Sequence, residues 1–207
     1  MRLLLASKSP RRRELLSQLG FTIDFVDIDV DERLSSPLPP SEVAEHLARR
    51  KADAYPAANL TADDVLVTAD TVVVHNGRIM GKPRSRDEAI QMLHELSGDS
   101  HIVYTGVCLR SLTTDVSFTE STKVTFATVS DSDIEHYVDT YRPYDKAGAY
   151  GIQEWIGMIG ISSIEGCYYN VMGLPLAALY DRLRKRFLSS LSSPRSSISL
   201  TTPSTPI

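Results

Sequence analysis

Asp70 stands inside the run Val65-Leu66-Val67-Thr68-Ala69-Asp70-Thr71-Val72-Val73-Val74, which otherwise has the pattern of a strand buried on both faces. A carboxylate left there without partners costs several kcal/mol, so it must meet cations, hydrogen-bond donors or a metal ion. A structural aspartate satisfied by backbone N–H groups near a strand end is the plainer alternative. Elsewhere the chain offers charged partners from loops and helix ends. Ser7, Ser9, Arg11 and Arg12 surround an expected helix N-terminus, where free backbone N–H groups favour an anion and arginine adds a planar fork for phosphate oxygens. A solvated basic turn would show the same residues. Lys51 falls on the apolar stripe of a second helix, where it either points inward or snorkels out. Lys82 lies between Gly81 and Pro83, a rigid setting that suits a phosphate contact. Glu32, beside Asp31 in an acidic loop, is either a solvated turn or a ligand for Mg²⁺ or Mn²⁺, which take oxygen donors and keep several waters. One embedded carboxylate, a second acid, two lysines and two arginines are the equipment for metal-assisted attack of water on a phosphoanhydride.

The elements that must position these groups follow from periodicity and caps. Leu3 to Ala6 reads as a short first strand. Ser9 caps a helix with Pro10 at its first position, Leu15, Leu16 and Leu19 form its apolar face, and Gly20 stops it. Phe21 to Ile28 reads as a second strand and Asp29 to Pro40 as a loop. Ser41 opens the helix that carries Val43, Leu47 and Lys51. The Asp70 strand comes next, and Asn76-Gly77 marks a hairpin back through Ile79-Met80. Ser85-Arg86-Asp87-Glu88 is a capping box for a helix with Ala89, Met92, Leu93 and Leu96 inward. His101 to Leu112 and Ser117 to Val129 read as a long hairpin, and Ser130 caps a helix through Tyr141. A polar loop covers Arg142 to Gln153, a strand is expected over Ile156 to Ile164, and a last helix turns Leu176, Leu179, Leu183 and Phe187 inward. Strands alternating with helices predict an α/β fold with some antiparallel pairing. The domain is expected to span 1–187. From 188 to 207 the chain is nearly all Ser, Thr and Pro, cannot bury a core, and reads as a disordered tail.

The 207 residues suffice for one sizeable core or two lobes sharing a sheet, and the formal net charge of −4 argues against a general affinity for nucleic acid or an anionic membrane. Met1 to Ala6 is too short an apolar run for a secretory signal, and no stretch reaches the ~20 apolar residues of a membrane helix. Cys108 and Cys167 lie far apart in no metal or redox spacing, which fits a reduced, cytosolic compartment. His46, His75, His94, His101 and His136 form no ligand-spaced pair, and Walker, Gly-x-Ser-x-Gly and dinucleotide fingerprints are missing.

At these same residues the chain resembles the Maf nucleotide pyrophosphatases. The blocks are Ala6-Ser7-Lys8-Ser9-Pro10-Arg11-Arg12-Arg13-Glu14-Leu15-Leu16, Leu47-Ala48-Arg49-Arg50-Lys51-Ala52, Ala69-Asp70-Thr71, Gly81-Lys82-Pro83, Leu96-Ser97-Gly98, the run from Asp145 to Gln153, and Val171-Met172-Gly173-Leu174-Pro175, in that order. The resemblance spans about Arg2 to Phe187 and implies an elongated, mixed, twisted sheet flanked by helices, with two lobes and a central cleft, as in Maf and inosine-triphosphatase-like proteins. It implies hydrolysis of nucleoside triphosphates to the monophosphate and pyrophosphate with Mg²⁺ or Mn²⁺, and a homodimer. By position it makes Asp70 the proton acceptor and Glu32 an acid near the metal. Ser7 belongs to the opening signature, whose loop faces substrate, and Arg12, Lys51 and Lys82 become phosphate-facing cations. Arg11, Thr71 and Gln153 fall where base preference is set. Ala69-Asp70-Thr71 and Tyr150-Gly151-Ile152-Gln153 look like the subgroup that acts on dTTP and UTP. A sister subgroup preferring 7-methyl-GTP typically has Ser-Asp-Gln at the strand block.

A cytosolic pyrophosphatase acting on dTTP and UTP, with modified uridine nucleotides as further substrates, is therefore expected. The residues leave open whether Asp70 is the base or chiefly a metal ligand. Two alternatives stand beside it: a nucleotide-binding regulator of cell division with vestigial hydrolysis, and 7-methyl-GTP-type specificity. A nucleic-acid binder using Arg11 to Arg13 would show strongly salt-dependent binding, which the acidic balance disfavours.

Overall fold

The computed structural model describes residues 1–34 and 36–188, so the expected Ser/Thr/Pro tail lies outside the described residues apart from Leu188. In chain order the elements are β1 (Arg2–Ala6), α1 (Pro10–Ser17), β2 (Thr22–Val26), α2 (Pro40–Ala54), β3 (Asp64–His75), β4 (Arg78–Met80) and α3 (Arg86–Leu96). There follow β5 (Ser100–Arg110), β6 (Asp115–Phe126), α4 (Asp131–Tyr141), α5 (Trp155–Gly160), β7 (Ile161–Glu165), α6 (Tyr168–Val171) and α7 (Leu176–Leu183), the last running into a π-helical turn over Arg184–Leu188. The described residues build one seven-stranded sheet in the order β2-β1-β3-β5-β6-β7, with β4 paired to β3 off that path. β1 is parallel to both β2 and β3, and every other pairing is antiparallel. This is the mixed α/β sheet expected.

β3 is the spine. Eleven of its residues are buried, with Thr71 half-buried. β1 covers one edge of β3 only as far as the Ala6–Thr68 pair, and β4 takes up that edge again at the Val73–Met80 pair. Residues 69–72 are therefore left as a gap in the edge. Asn76 and Gly77, at φ +48° and +73°, make the tight turn that folds β4 back.

Helices cover both faces. On one face Leu15 and Leu16 of α1 and Leu176, Leu179 and Leu183 of α7 pack on Leu3, Leu5, Val67, Val107 and Leu109. On the other, α2 lies across β3 and β5, with Ala48 and Ala52 against Leu4 and Leu66, and Val43 and Leu47 against Val72 and Val74. That close approach needs Gly106: a Cβ there would lie 2.2 Å from the Glu45 backbone nitrogen. Beyond the gap, α3, α4 and α5 enclose a second core with Val103, Val124, Phe126, Tyr137 and Ile156. The two cores are the two lobes.

Three local expectations change. α2 starts at Pro40 and not at Ser41: proline suits the first helical position, Ser41 falls inside the helix, and the residue before it, Pro39, has no side-chain acceptor to cap with. At the capping box, Ser85 accepts from the Glu88 N–H at 3.2 Å, but the Glu88 carboxylate accepts from the Arg84 N–H at 2.7 Å instead of returning to Ser85. The strand expected over Ile156 to Ile164 is instead α5 followed by β7. A short apolar run has no decisive period. Here Gly157 tips it, since a Cβ there would sit 2.0 Å from the Ile152 carbonyl oxygen, so only glycine lets α5 coil onto the preceding loop. None of the helices among the described residues is long and apolar enough to cross a membrane.

Candidate active site

The gap in the β3 edge opens onto a cleft of about 790 Å³ between the two lobes. It is lined by Ser7, Arg11, Arg12, Glu32, Lys51, Asp70, Thr71, Lys82 and Gln153, all the residues singled out in the sequence. The floor is Asp70, 9% exposed. Its partner is Lys51, which continues the Val43–Leu47 stripe of α2 one turn further and so points at β3. Lys51 Nζ lies 2.6 Å from Asp70 Oδ1 and 2.7 Å from Glu32 Oε1, so one ammonium joins the two acids. The inward alternative for Lys51 therefore holds. Burial pushes the Glu32 carboxyl up, but the Lys51 hydrogen bond and charge, helped by Lys82 and Arg12, more than offset it and leave the group below its ordinary range.

Arg12 reaches the gap from the first turn of α1, whose N-cap is Ser9 as expected. Its guanidinium is largely committed to the protein. Nε donates to the Gly173 carbonyl at 2.8 Å, and one terminal nitrogen donates to the Ala69 carbonyl at 2.9 Å, an acceptor that β1 leaves free. The other donates to Thr71 Oγ1 at 2.9 Å. Burial pulls this guanidinium below its usual range, and the charge of Asp70 resists that shift. A guanidinium carries five N–H donors, so some remain for an incoming anion.

Thr71 and Asp70 are consecutive in β3 and so face opposite sides of the sheet. Thr105, directly opposite Thr71 on β5, shares a hydrogen bond with its hydroxyl at 2.9 Å and donates its own proton to the Asn170 carbonyl at 2.9 Å. Thr71 thus donates to Thr105 and accepts from Arg12. Nothing in a single sequence marks Thr105, because a threonine in an apolar hairpin strand is ordinary. Lys82 is exposed at the mouth. Ser7 Oγ accepts from the Ser9 N–H at 3.2 Å and shapes the β1–α1 turn. Gln153 is half-buried on the opposite lobe, and Arg11 crosses the mouth to Asp145 at 3.1 Å.

For a metal ion, the described residues contain no group of three His, Cys, Asp or Glu side chains fit to hold one. Glu32 and Asp70 converge on a single ammonium, so they are close enough to share a cation. Two hard oxygen donors suit Mg²⁺ or Mn²⁺ when substrate phosphates and water supply the rest of the shell. That donor set does not suit zinc.

Comparisons with known proteins place the chain among similar sequences and structures. A family model described as "Maf-like protein" matches residues 2–186. A dTTP/UTP pyrophosphatase of Bacteroides thetaiotaomicron is 49% identical over 186 residues, covering 88% of this chain and 95% of its own. One from Porphyromonas gingivalis is 49% identical over 185 residues, covering 88% of this chain and 93% of its own. Among solved structures, the Staphylococcus aureus Ham1 protein superposes with a TM-score of 0.50 over 88% of this chain and 100% of that one. At 16% identity that likeness concerns the fold alone.

Proposed function

From its membership in the Maf family, to which the chain belongs, we propose that this protein is a nucleoside triphosphate pyrophosphatase that hydrolyses dTTP and UTP to the monophosphate and pyrophosphate. The observation that carries this is the ionic bridge at the gap in β3, where Lys51 holds Asp70 at 2.6 Å within a cleft also lined by Arg12, Lys82 and Glu32. A cavity of this size is in the usual range for a nucleotide-sized ligand.

In this reading the triphosphate lies between the lobes with its α-phosphorus at Asp70. Lys51 pairs with Asp70 and aims it. Asp70 accepts a proton from water as the water oxygen bonds to the α-phosphorus. The bond from that phosphorus to the α–β bridging oxygen breaks, and pyrophosphate leaves with the electron pair. Lys82 and the free donors of Arg12 neutralise charge on the phosphate oxygens. Glu32 and Asp70 would hold Mg²⁺ or Mn²⁺, which when bound supplies charge neutralisation to the triphosphate. Gln153 can donate and accept through its amide, as a pyrimidine carbonyl and N–H require. Thr71 acts on base preference through Arg12, since its own proton is spent on Thr105. A cytosolic homodimer completes the proposal, on the strength of the family resemblance.

A panel of standard, methylated and damaged nucleoside triphosphates tests this, with Mg²⁺ or Mn²⁺ and products separated chromatographically. UTP and dTTP are expected to give UMP, dTMP and pyrophosphate faster than CTP or the purine nucleotides do. Preferred cleavage of 7-methyl-GTP would reassign the specificity. Nucleotide-dependent stabilisation with no product would point to the regulator.

A further inference from the structure

Behind the wall that carries Gln153 runs a chain of hydrogen bonds that the proposed chemistry does not use. Arg11 donates to Asp145 Oδ2 at 3.1 Å, and Asp145 Oδ1 lies 2.8 Å from Lys146 Nζ. The same Nζ lies 3.1 Å from Glu154 Oε1. The second oxygen of Glu154 accepts from the hydroxyl of Tyr137, whose oxygen in turn accepts from the Gly151 N–H at 3.1 Å. Tyr137 is fully buried and the Lys146 side chain is 9% exposed, so the inner part of the chain is shielded from water. Burial and the Glu154 bond push the Tyr137 phenol well above its ordinary value, so it remains a donor at any working pH.

Both ends of this chain meet groups that face the cleft. At one end is Arg11, in the first turn of α1. At the other is the turn Gly151-Ile152-Gln153-Glu154, closed by the Glu154 N–H to the Gly151 carbonyl at 3.0 Å. Gln153 is the third residue of that turn and lies between Gly151 and Glu154, the two residues the chain grips. Gly151 is pressed so closely that a Cβ there would lie 2.8 Å from the Glu154 carboxyl carbon.

Base chemistry gives this clamp a task. Uracil and thymine offer a carbonyl acceptor at C4 and an N–H donor at N3, and cytosine offers the reverse. A glutamine amide can rotate to satisfy either pattern, whereas arginine can only donate. Rejecting cytosine therefore needs a donor-only group and an amide held at a fixed spacing. We propose that Tyr137 and Glu154 are positioning residues for base selection: they clamp the 151–154 turn and, through Lys146 and Asp145, hold Arg11 and Gln153 as one unit that distinguishes uracil and thymine from cytosine. This inference rests on the pyrophosphatase reading and names how that site selects its substrate.

Tyr137→Phe keeps the ring and removes the hydroxyl, leaving the Gly151 N–H and one Glu154 oxygen without their partner. The kcat/KM ratio of UTP over CTP is expected to fall about tenfold, through a higher KM for UTP with kcat within about twofold of the parent. Glu154→Gln, which keeps shape and removes charge, is expected to lose part of the same ratio and serves if the tyrosine variant does not fold. Calorimetric binding of UMP against CMP follows the same preference without turnover, and the ratio of their affinities is expected to fall in parallel. A lower melting temperature with both ratios unchanged would make the chain a purely structural brace and overturn the proposal. Absence of pyrophosphate release by the parent protein would defeat the pyrophosphatase assignment separately, and the binding ratio would still decide the clamp.

Discussion

Asp70→Asn is expected to lower kcat for UTP by about three orders of magnitude with the fold intact. The two side chains have nearly the same shape, and the amide oxygen can still accept from Lys51 Nζ, which lies 2.6 Å away. What is lost is the ability to take a proton from water and the negative charge that pairs with Lys51. Position and packing remain, and Asp70 is paired with Gly106 in the middle of a continuous β3–β5 ladder that does not depend on its side chain. Turnover and the melting temperature, measured together, separate the two effects. Near-parental turnover in the variant would remove Asp70 from the chemistry.

Stability is expected to drop by about 3 kcal/mol as pH falls from 6.5 to 4, with His101 as the main cause. The ring is 2% exposed, bonded through Nε2 to the Tyr150 hydroxyl at 2.7 Å and packed against the rings of Phe126 and Tyr150. Its Nδ1 has no hydrogen-bond partner among the described residues. Its pKa is lowered from 6.5 to about 4, chiefly by burial, with the charge of His75 adding to the shift and Asp99 opposing it. A folded-state value below the unfolded one means that the unfolded chain takes up the proton first. The neutral buried ring therefore contributes its full stability above pH 6.5, loses it progressively as the pH falls through about 4, and stops adding slope once the pH is well below that value. Urea unfolding at a series of pH values measures the slope. In His101→Gln most of the slope between 6.5 and 4.5 is expected to vanish, although the variant starts less stable. An unchanged slope would place the titrating group elsewhere.

Much of the site was legible because its residues break local patterns. Asp70 is an acid in an apolar strand, and Lys51 is a cation on an apolar helical stripe. Each anomaly is the other's explanation, since the two meet at 2.6 Å. Ser9 and Pro10 announced α1, and Asn76-Gly77 announced the turn into β4, because caps and tight turns depend on a few neighbouring residues. What stayed hidden depends on tertiary placement. The free Ala69 carbonyl exists only because β1 ends at the Ala6–Thr68 pair, so no pattern near Arg12 could show that its guanidinium would be drawn to β3. Thr105 matters because β5 sets it opposite Thr71. Likewise α5 replaced an expected strand because the Ile152 carbonyl lies against Gly157, a contact set by the path of the preceding loop. Tyr137 and Glu154 carry no motif, and their link to Gly151 appears only when α4 is packed beside the loop.

The central claim is that the Asp70 cleft delivers water to the α-phosphorus of a nucleoside triphosphate. Hydrolysis of UTP in ¹⁸O-labelled water, read by mass spectrometry of both products, tests it most directly. The account predicts one labelled oxygen in UMP and none in pyrophosphate. Label in the pyrophosphate, or release of orthophosphate with UDP, would contradict it.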